Sequence, residues 1–405
     1  MQHSAPDVVR VIRGRWDWAP EIVRPYQCST GKLSNTPNAR MICSEEMKHR
    51  CANDTTSWRY TFRSDMDGSR PLLSGTELCD LVPRDERILF LGLGDSITHQ
   101  LYMSACSRLL HDSSLNVSSS GQRRGSSTNS FQRGVTYVNR CACRTMEGAG
   151  ASPQFEDIYT YFWDLCSERE GGHSCHIEFD GAIEACATSF RLNPATFTVF
   201  PIRQAHLISE LRAAHPTMLV LNDFAHVHNV ELALSQCYAK HLRHDAPEHN
   251  ASELARDLAR RDMVRYLTER AVRMATLLAN APLSSAPRVV YRTSSPAAER
   301  WLLGSAAVDT PAPLRLPAVD IGARGEAVEH GHDMYLAVNA LSAAAFRSAG
   351  HTVVDVEDML GVRIAAHHQD RQGDALHFCN PGPLDYVFDA MLRVLYGSSN
   401  ASAAL

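Results

Sequence analysis

The sequence predicts an α/β fold in which a parallel sheet is covered by helices on both faces. Three observations carry that expectation. Short aliphatic runs alternate with longer stretches of helical spacing, the order that builds βαβ units. Polar motifs stand directly after those runs, where ligands bind in parallel sheets. Hydrophobic residues make up 44% of the 405 and charged ones 21%, enough for a sizeable packed core.

Four strands follow from short aliphatic runs bounded by polar, Gly or Pro neighbours: Arg87 to Leu93, Met218 to Asn222, Arg288 to Thr293, and His351 to Val356. Helices are expected at Thr98 to Leu110, Ser252 to Ala281, His332 to Ala349 and Leu384 to Tyr396. Gly350 is well suited to end the third helix, and the fourth begins after Pro381-Gly382-Pro383. Two regions depart from the alternation. Residues 1–84 carry Trp16, Trp18, Trp58 and four cysteines, and read as a cysteine- and Trp-containing N-terminal lobe packed on the α/β domain of residues 85–398. Residues 112–210, rich in Ser, Gly, Cys and aromatics, read as an insertion that shapes an acceptor groove. The proline-bearing tract Ala306 to Ala327 lacks periodicity and is expected to be a surface loop.

Net charge is −5, and the densest basic cluster is Arg123-Arg124, so no basic field recruits nucleic acid or anionic membrane. The twelve cysteines include no Cys-x-x-Cys pair, and Cys141-Ala142-Cys143 is too close for a structural zinc knuckle. Disulfides in an oxidising compartment are the expectation, with free or metal-bound thiols the competing reading. Asn53, Asn116, Asn250 and Asn400 each begin an Asn-x-Ser/Thr sequon. The first residues lack the basic start and apolar core of a signal peptide, and no stretch approaches the ~18 apolar residues of a membrane span. A membrane association is therefore expected only through an anchor absent from this chain.

Ser96 stands in Leu93-Gly94-Asp95-Ser96-Ile97, directly after the first aliphatic run, and Asp374-Ala375-Leu376-His377 lies far downstream. These are the parts of a Ser-His-Asp nucleophile. A serine hydroxyl attacks only when a base takes its proton, and histidine titrates near neutrality. Asp374, three residues before His377, is placed to fix the imidazole tautomer from the same turn. The competing reading makes Ser96 a helix cap. Charge developing on an acyl oxygen needs donors: the Ser96 amide is one candidate, and the Asn222 side chain another. Asn222 also fits an ordinary strand-end turn, and Asp223 a solvated loop carboxylate. Arg292, at the end of the third strand, suits either a substrate carboxylate or an ion pair within the protein. His226 with His228, His330 with His332, and His367 with His368 invite a metal, but sequence offers them no carboxylate or cysteine partners, so no metal is expected. Trp16, Trp58 and Tyr60 fit either a sugar-stacking wall or core packing.

The block Asp374-Ala375-Leu376-His377-Phe378-Cys379-Asn380-Pro381-Gly382-Pro383-Leu384-Asp385 resembles the D-x-x-H-[WF]-C-x-P-G-x-x-D signature of the PC-esterase family. That SGNH/GDSL-like group includes the trichome-birefringence-like polysaccharide O-acetyltransferases and the sialate O-acetyltransferases. Gly94-Asp95-Ser96-Ile97-Thr98-His99-Gln100-Leu101-Tyr102, with Ser104 and Cys106 beyond it, is similar to the family's GDS block. Tyr291-Arg292-Thr293-Ser294-Ser295-Pro296 resembles its R-T-x-[SA]-P stretch, Leu221-Asn222 its Asn-bearing block, and Gly14, Trp16, Cys28, Trp58-Arg59-Tyr60 and Cys79 the cysteine-rich module of the plant branch.

The resemblance implies an SGNH-hydrolase-like three-layer α/β/α domain. It implies catalysis by Ser96, Asp374 and His377, with Gly94, Asn222 and Arg292 binding the oxyanion or substrate. It also implies transfer of acyl, chiefly acetyl, groups onto glycan or polysaccharide hydroxyls in the secretory pathway, in the Golgi lumen or outside the cell. No cofactor is expected to stay bound; the acyl donor, acetyl-CoA or another acetyl ester, is a co-substrate. A carbohydrate esterase using the same triad with water, and a non-catalytic glycan-binding protein, are the alternatives.

Overall fold

The computed structural model describes residues 9–11, 14–18, 58–62, 72–93, 96–124, 134–144, 152–162, 166–169, 172–175, 208, 211–222, 248–283, 285–294, 332–360, 378 and 382–396. Twelve strands are present among these: β1 (Val9–Val11), β2 (Gly14–Trp18), β3 (Trp58–Phe62), β4 (Arg87–Leu93), β5 (Asn116–Arg124), β6 (Gly134–Arg144), β7 (Gln154–Phe162), β8 (Cys166–Arg169), β9 (Gly172–Cys175), β10 (Met218–Asn222), β11 (Arg288–Arg292) and β12 (Thr352–Asp355). The helices are α1 (Gly75–Leu81), α2 (Ser96–His111), α3 (Glu248–Ala279), α4 (His332–Ser348), α5 (Glu357–Leu360) and α6 (Pro383–Tyr396).

Eight strands form one sheet in the order β1-β12-β11-β10-β4-β7-β6-β5. From β1 to β7 every pairing is parallel, and β6 and β5 continue it antiparallel. All four predicted strands lie side by side in its parallel part. Between their ends these strands are apolar without interruption because both faces are covered. Ile88, Phe90, Met218, Val220, Val290 and Val354 enter a core with α1, α2, α5 and α6. The alternate residues Leu89, Leu91, Leu219, Leu221, Val289, Tyr291 and Val353 enter a second core with α3 and α4. The period of two along each strand thus divides every strand between two helical layers.

The segments that break the sequence rhythm also contribute to this sheet. Strands β5, β6 and β7, all from residues 112–210, extend it beyond β4, and β1 closes the opposite edge against β12. Strands β2 and β3 form a separate ribbon whose register sets Trp16 opposite Tyr60 and Trp18 opposite Trp58. Helix α1 starts with a reciprocal cap: the Glu77 amide donates to the Ser74 hydroxyl at 3.2 Å, and the Ser74 amide to the Glu77 carboxylate at 2.7 Å. It packs against α2 at Gly75, where an added Cβ would sit 2.8 Å from the Arg108 carbonyl oxygen and from Asp112 Cβ. A Cys79–Cys143 disulfide ties α1 to β6. No described helix is long and apolar enough to cross a membrane.

Candidate functional site

Parallel strands deliver their following residues to one edge of the sheet, and the sheet order makes β4, β10 and β11 immediate neighbours. Gly92 pairs with Asn222, and Leu221 with Tyr291, so the three strands end at about the same level. Ser96 opens α2 just beyond β4, Asn222 is the last residue of β10, and Arg292 the last of β11. The fold therefore gathers three of the predicted site residues from distant parts of the chain. Gly94, Asp374 and His377 lie outside the described residues, as do Asp223 and the histidine pairs apart from the backbone of His332. Among the described residues no group of three or more His, Cys, Asp or Glu side chains gathers to hold a metal ion.

Behind this edge the side chains form a buried polar network. The Asn222 amide nitrogen donates to the Arg292 carbonyl at 2.8 Å, and its oxygen accepts from the Ser294 hydroxyl at 3.0 Å. These two bonds fix which way the amide faces. Arg292 is 1% exposed; its guanidinium donates to the Thr293 carbonyl at 2.8 Å and to the Thr98 hydroxyl, in the first turn of α2, at 3.4 Å. Thr293 donates its hydroxyl to Asp355 at 3.0 Å and accepts from the Val356 amide at 2.9 Å. Ser294 is clasped by Asn339 of α4, which accepts from the Ser294 amide at 2.8 Å and donates to its carbonyl at 2.9 Å. The Arg292-Thr293-Ser294 stretch thus ties β11 to α2, to β12 and to β10 in three successive residues.

A second set of contacts runs along α2. Gln100, four residues after Ser96, accepts from the Phe378 amide at 3.2 Å and donates to the Phe378 carbonyl at 2.8 Å. One turn on, the Ser104 hydroxyl donates to Asp385. After another turn Arg108 donates to the Asp385 carboxylate through Nε and Nη2, each at 3.2 Å, to the Asp385 carbonyl at 2.6 Å, and to Asp389. The remaining carboxylate oxygens are also engaged: Asp385 Oδ2 accepts from the Gly382 amide at 2.7 Å, and Asp389 Oδ2 from the Leu73 amide at 2.8 Å. Burial pushes the Asp389 carboxyl above its ordinary range, against the pull of Arg108 and the bond from Leu73.

Residues 100, 104 and 108 share one helix stripe because they stand four apart. That stripe grips the C-terminal block at Phe378, Asp385 and Asp389. The two motif blocks, nearly three hundred residues apart in sequence, therefore meet across one helix. Gln100, Arg108 and Asn339 were not assigned roles from sequence. For Gln100 and Arg108 the four-residue spacing from Ser96 was the available signal; Asn339 offered none. No protein-family model matches the chain, and neither does any curated protein sequence.

Proposed function

We propose that this chain is an O-acyltransferase that moves an acyl group, chiefly acetyl, onto a glycan or polysaccharide hydroxyl through an ester on Ser96. The observation that carries the reading is the grip of Gln100 on Phe378. Gln100 lies one helical turn, about 6 Å, beyond Ser96, and Phe378 is covalently joined to His377. The motif containing the serine and the motif containing the histidine are thereby joined in the folded chain.

In the first half-reaction Ser96 Oγ bonds to the acyl carbon of the donor ester as His377 takes its proton. The donor's leaving group departs with that proton. In the second half-reaction the acceptor hydroxyl gives its proton to His377 and bonds to the acyl carbon, and the bond from that carbon to Ser96 Oγ breaks as His377 returns the proton to Oγ. Asp374 orients His377 throughout. The start of α2 supplies backbone donors and the positive end of a helix dipole for the oxyanion. Asn222, held facing one way by Ser294 and Arg292, and Gly94 complete the binding set; Arg292, bonded to the Thr98 hydroxyl in the first turn of α2, contributes its charge. The disulfide Cys79–Cys143 supports work in an oxidising compartment, such as the Golgi lumen or the extracellular space.

The test is mass spectrometry of the oxidised protein after incubation with acetyl-CoA or an activated acetyl ester, wild type beside Ser96→Ala. The expected outcome is an acetyl adduct on the peptide containing Ser96, absent in the variant and discharged faster by added glycan than by water. Discharge to water regardless of glycan would make the protein an esterase. Absence of any adduct or ester turnover would leave a glycan-binding protein.

A further inference from the structure

We propose that Gln100 is a positioning residue for the general base, acting on His377 through the backbone of Phe378. The proposal rests on the serine acyl-enzyme reading above and adds to it a residue outside the triad.

The bonds themselves carry the argument. The Phe378 N–H that Gln100 accepts belongs to the peptide unit shared with His377. A peptide unit is planar, so holding that N–H fixes the plane of the peptide that joins His377 to Phe378. The Phe378 carbonyl that Gln100 receives by its Nε2 belongs to the next peptide unit. One side-chain amide therefore fixes the peptide planes on both sides of a single residue. Gln100 and Phe378 are both 0% exposed, so water does not compete for these bonds. The other two grips of the stripe, from Ser104 and Arg108, fall on Asp385 and Asp389, further along the chain from His377. Gln100 is thus the member of the stripe whose bonds bear on the histidine, and it stands on the helix that Ser96 begins. Nucleophile and base are referred to the same rigid element, as sub-ångström alignment between them requires.

The experiment follows covalent modification of Ser96 by a fluorophosphonate from about pH 5 to pH 9, a range that spans histidine titration. In this reaction serine oxygen bonds to phosphorus, fluoride leaves and the base takes the serine proton. Wild type, Gln100→Met and Ser104→Ala are compared. Met keeps the volume of Gln but makes neither bond, and Ser104→Ala loosens the C-terminal block without touching Phe378. Wild type and Ser104→Ala are expected to level off above the histidine inflection. In Gln100→Met the rate near neutrality should fall by about 10²-fold, the scale of a displaced base. The inflection should disappear, leaving a rate that climbs with hydroxide. Should Gln100→Met fail to fold, Gln100→Asn, which keeps a buried amide but withdraws it by one carbon, is expected to give the same profile. A folded Gln100 variant that retains the wild-type inflection and rate, or one that Ser104→Ala matches, would overturn the proposal alone. Failure of wild type to label at Ser96 would overturn the acyl-enzyme reading and this proposal together.

Discussion

Arg108 shows how a single residue holds the candidate site together. Its guanidinium and the carboxylates of Asp385 and Asp389 have left water almost completely, with side-chain exposures of 0%, 0% and 1%. Such a cluster is tolerable only because its hydrogen-bonding atoms are engaged: Gly382 and Leu73 occupy the carboxylate oxygens that Arg108 does not fill, and Ser104 shares Asp385 Oδ1 with Arg108. Replacing Arg108 by Met would leave two carboxylates facing each other in an apolar interior. The expected cost near pH 7 is about 3–5 kcal/mol. The sign with pH follows from Asp389. Its pKa is already raised in the folded state, so its contribution is greatest below the ordinary carboxylate range and declines as pH rises through the folded value. Without Arg108 that value rises further, and the loss should be smaller near pH 4 than near pH 7. Denaturant unfolding of Arg108→Met and wild type at both pH values checks this; an equal loss at both would show that packing, not charge, dominates.

Among the elements, α4 has an ending that the sequence already announced. Gly350 has φ of +82°, its amide donates to the Arg347 carbonyl at 2.8 Å, and the His351 amide reaches the Phe346 carbonyl at 3.0 Å. The rings of Phe346 and His351 then approach to 5.8 Å between centroids, giving the apolar contact that commonly accompanies this cap. An added Cβ at Gly350 would meet nothing within 4 Å, so Gly350→Ala isolates backbone strain from crowding. It is expected to lower stability by about 1–2 kcal/mol, read from the midpoint of thermal or urea unfolding. The cap matters to the site because β12 begins two residues later and Asp355 of β12 receives the Thr293 hydroxyl. Helix α4 also carries Asn339, whose hold on Ser294 repeats the hold of Gln100 on Phe378.

For the whole molecule, the disulfide closes the loop that contains the candidate nucleophile. Cys79 and Cys143 are 64 residues apart, and the ring they form includes β4, the start of α2 and the strands β5 and β6. Closing a loop of that length removes chain entropy equivalent to about 4 kcal/mol from the unfolded state. A double Cys79→Ala, Cys143→Ala variant is expected to lose stability up to that scale, read as a melting temperature below that of the wild type with both proteins oxidised. A variant that melts with the oxidised wild type would show that the bridge contributes nothing to holding α1 against the sheet. The parallel sheet makes the site a property of the entire fold, because Ser96, Asn222 and Arg292 reach one edge only when β4, β10 and β11 pair in register.

Local pattern alone determined the four parallel strands, the helices between them and the glycine that ends α4, because each is encoded by period, length or a conformational requirement of one residue. It also determined Ser96, Asn222 and Arg292 as strand-end polar residues. Tertiary structure decided the rest. The Ser- and Cys-rich stretch after α2 contributes β5, β6 and β7 to the main sheet, since pairing of β7 with β4, and of the three with one another, satisfies backbone groups that its composition does not advertise. Val9–Val11 becomes the far edge strand only by meeting β12. The partners of Gln100, Arg108 and Asn339 are separated from them by 278, 281 and 45 residues. No periodicity spans such distances, and a buried amide or guanidinium finds its partner only when the layers pack.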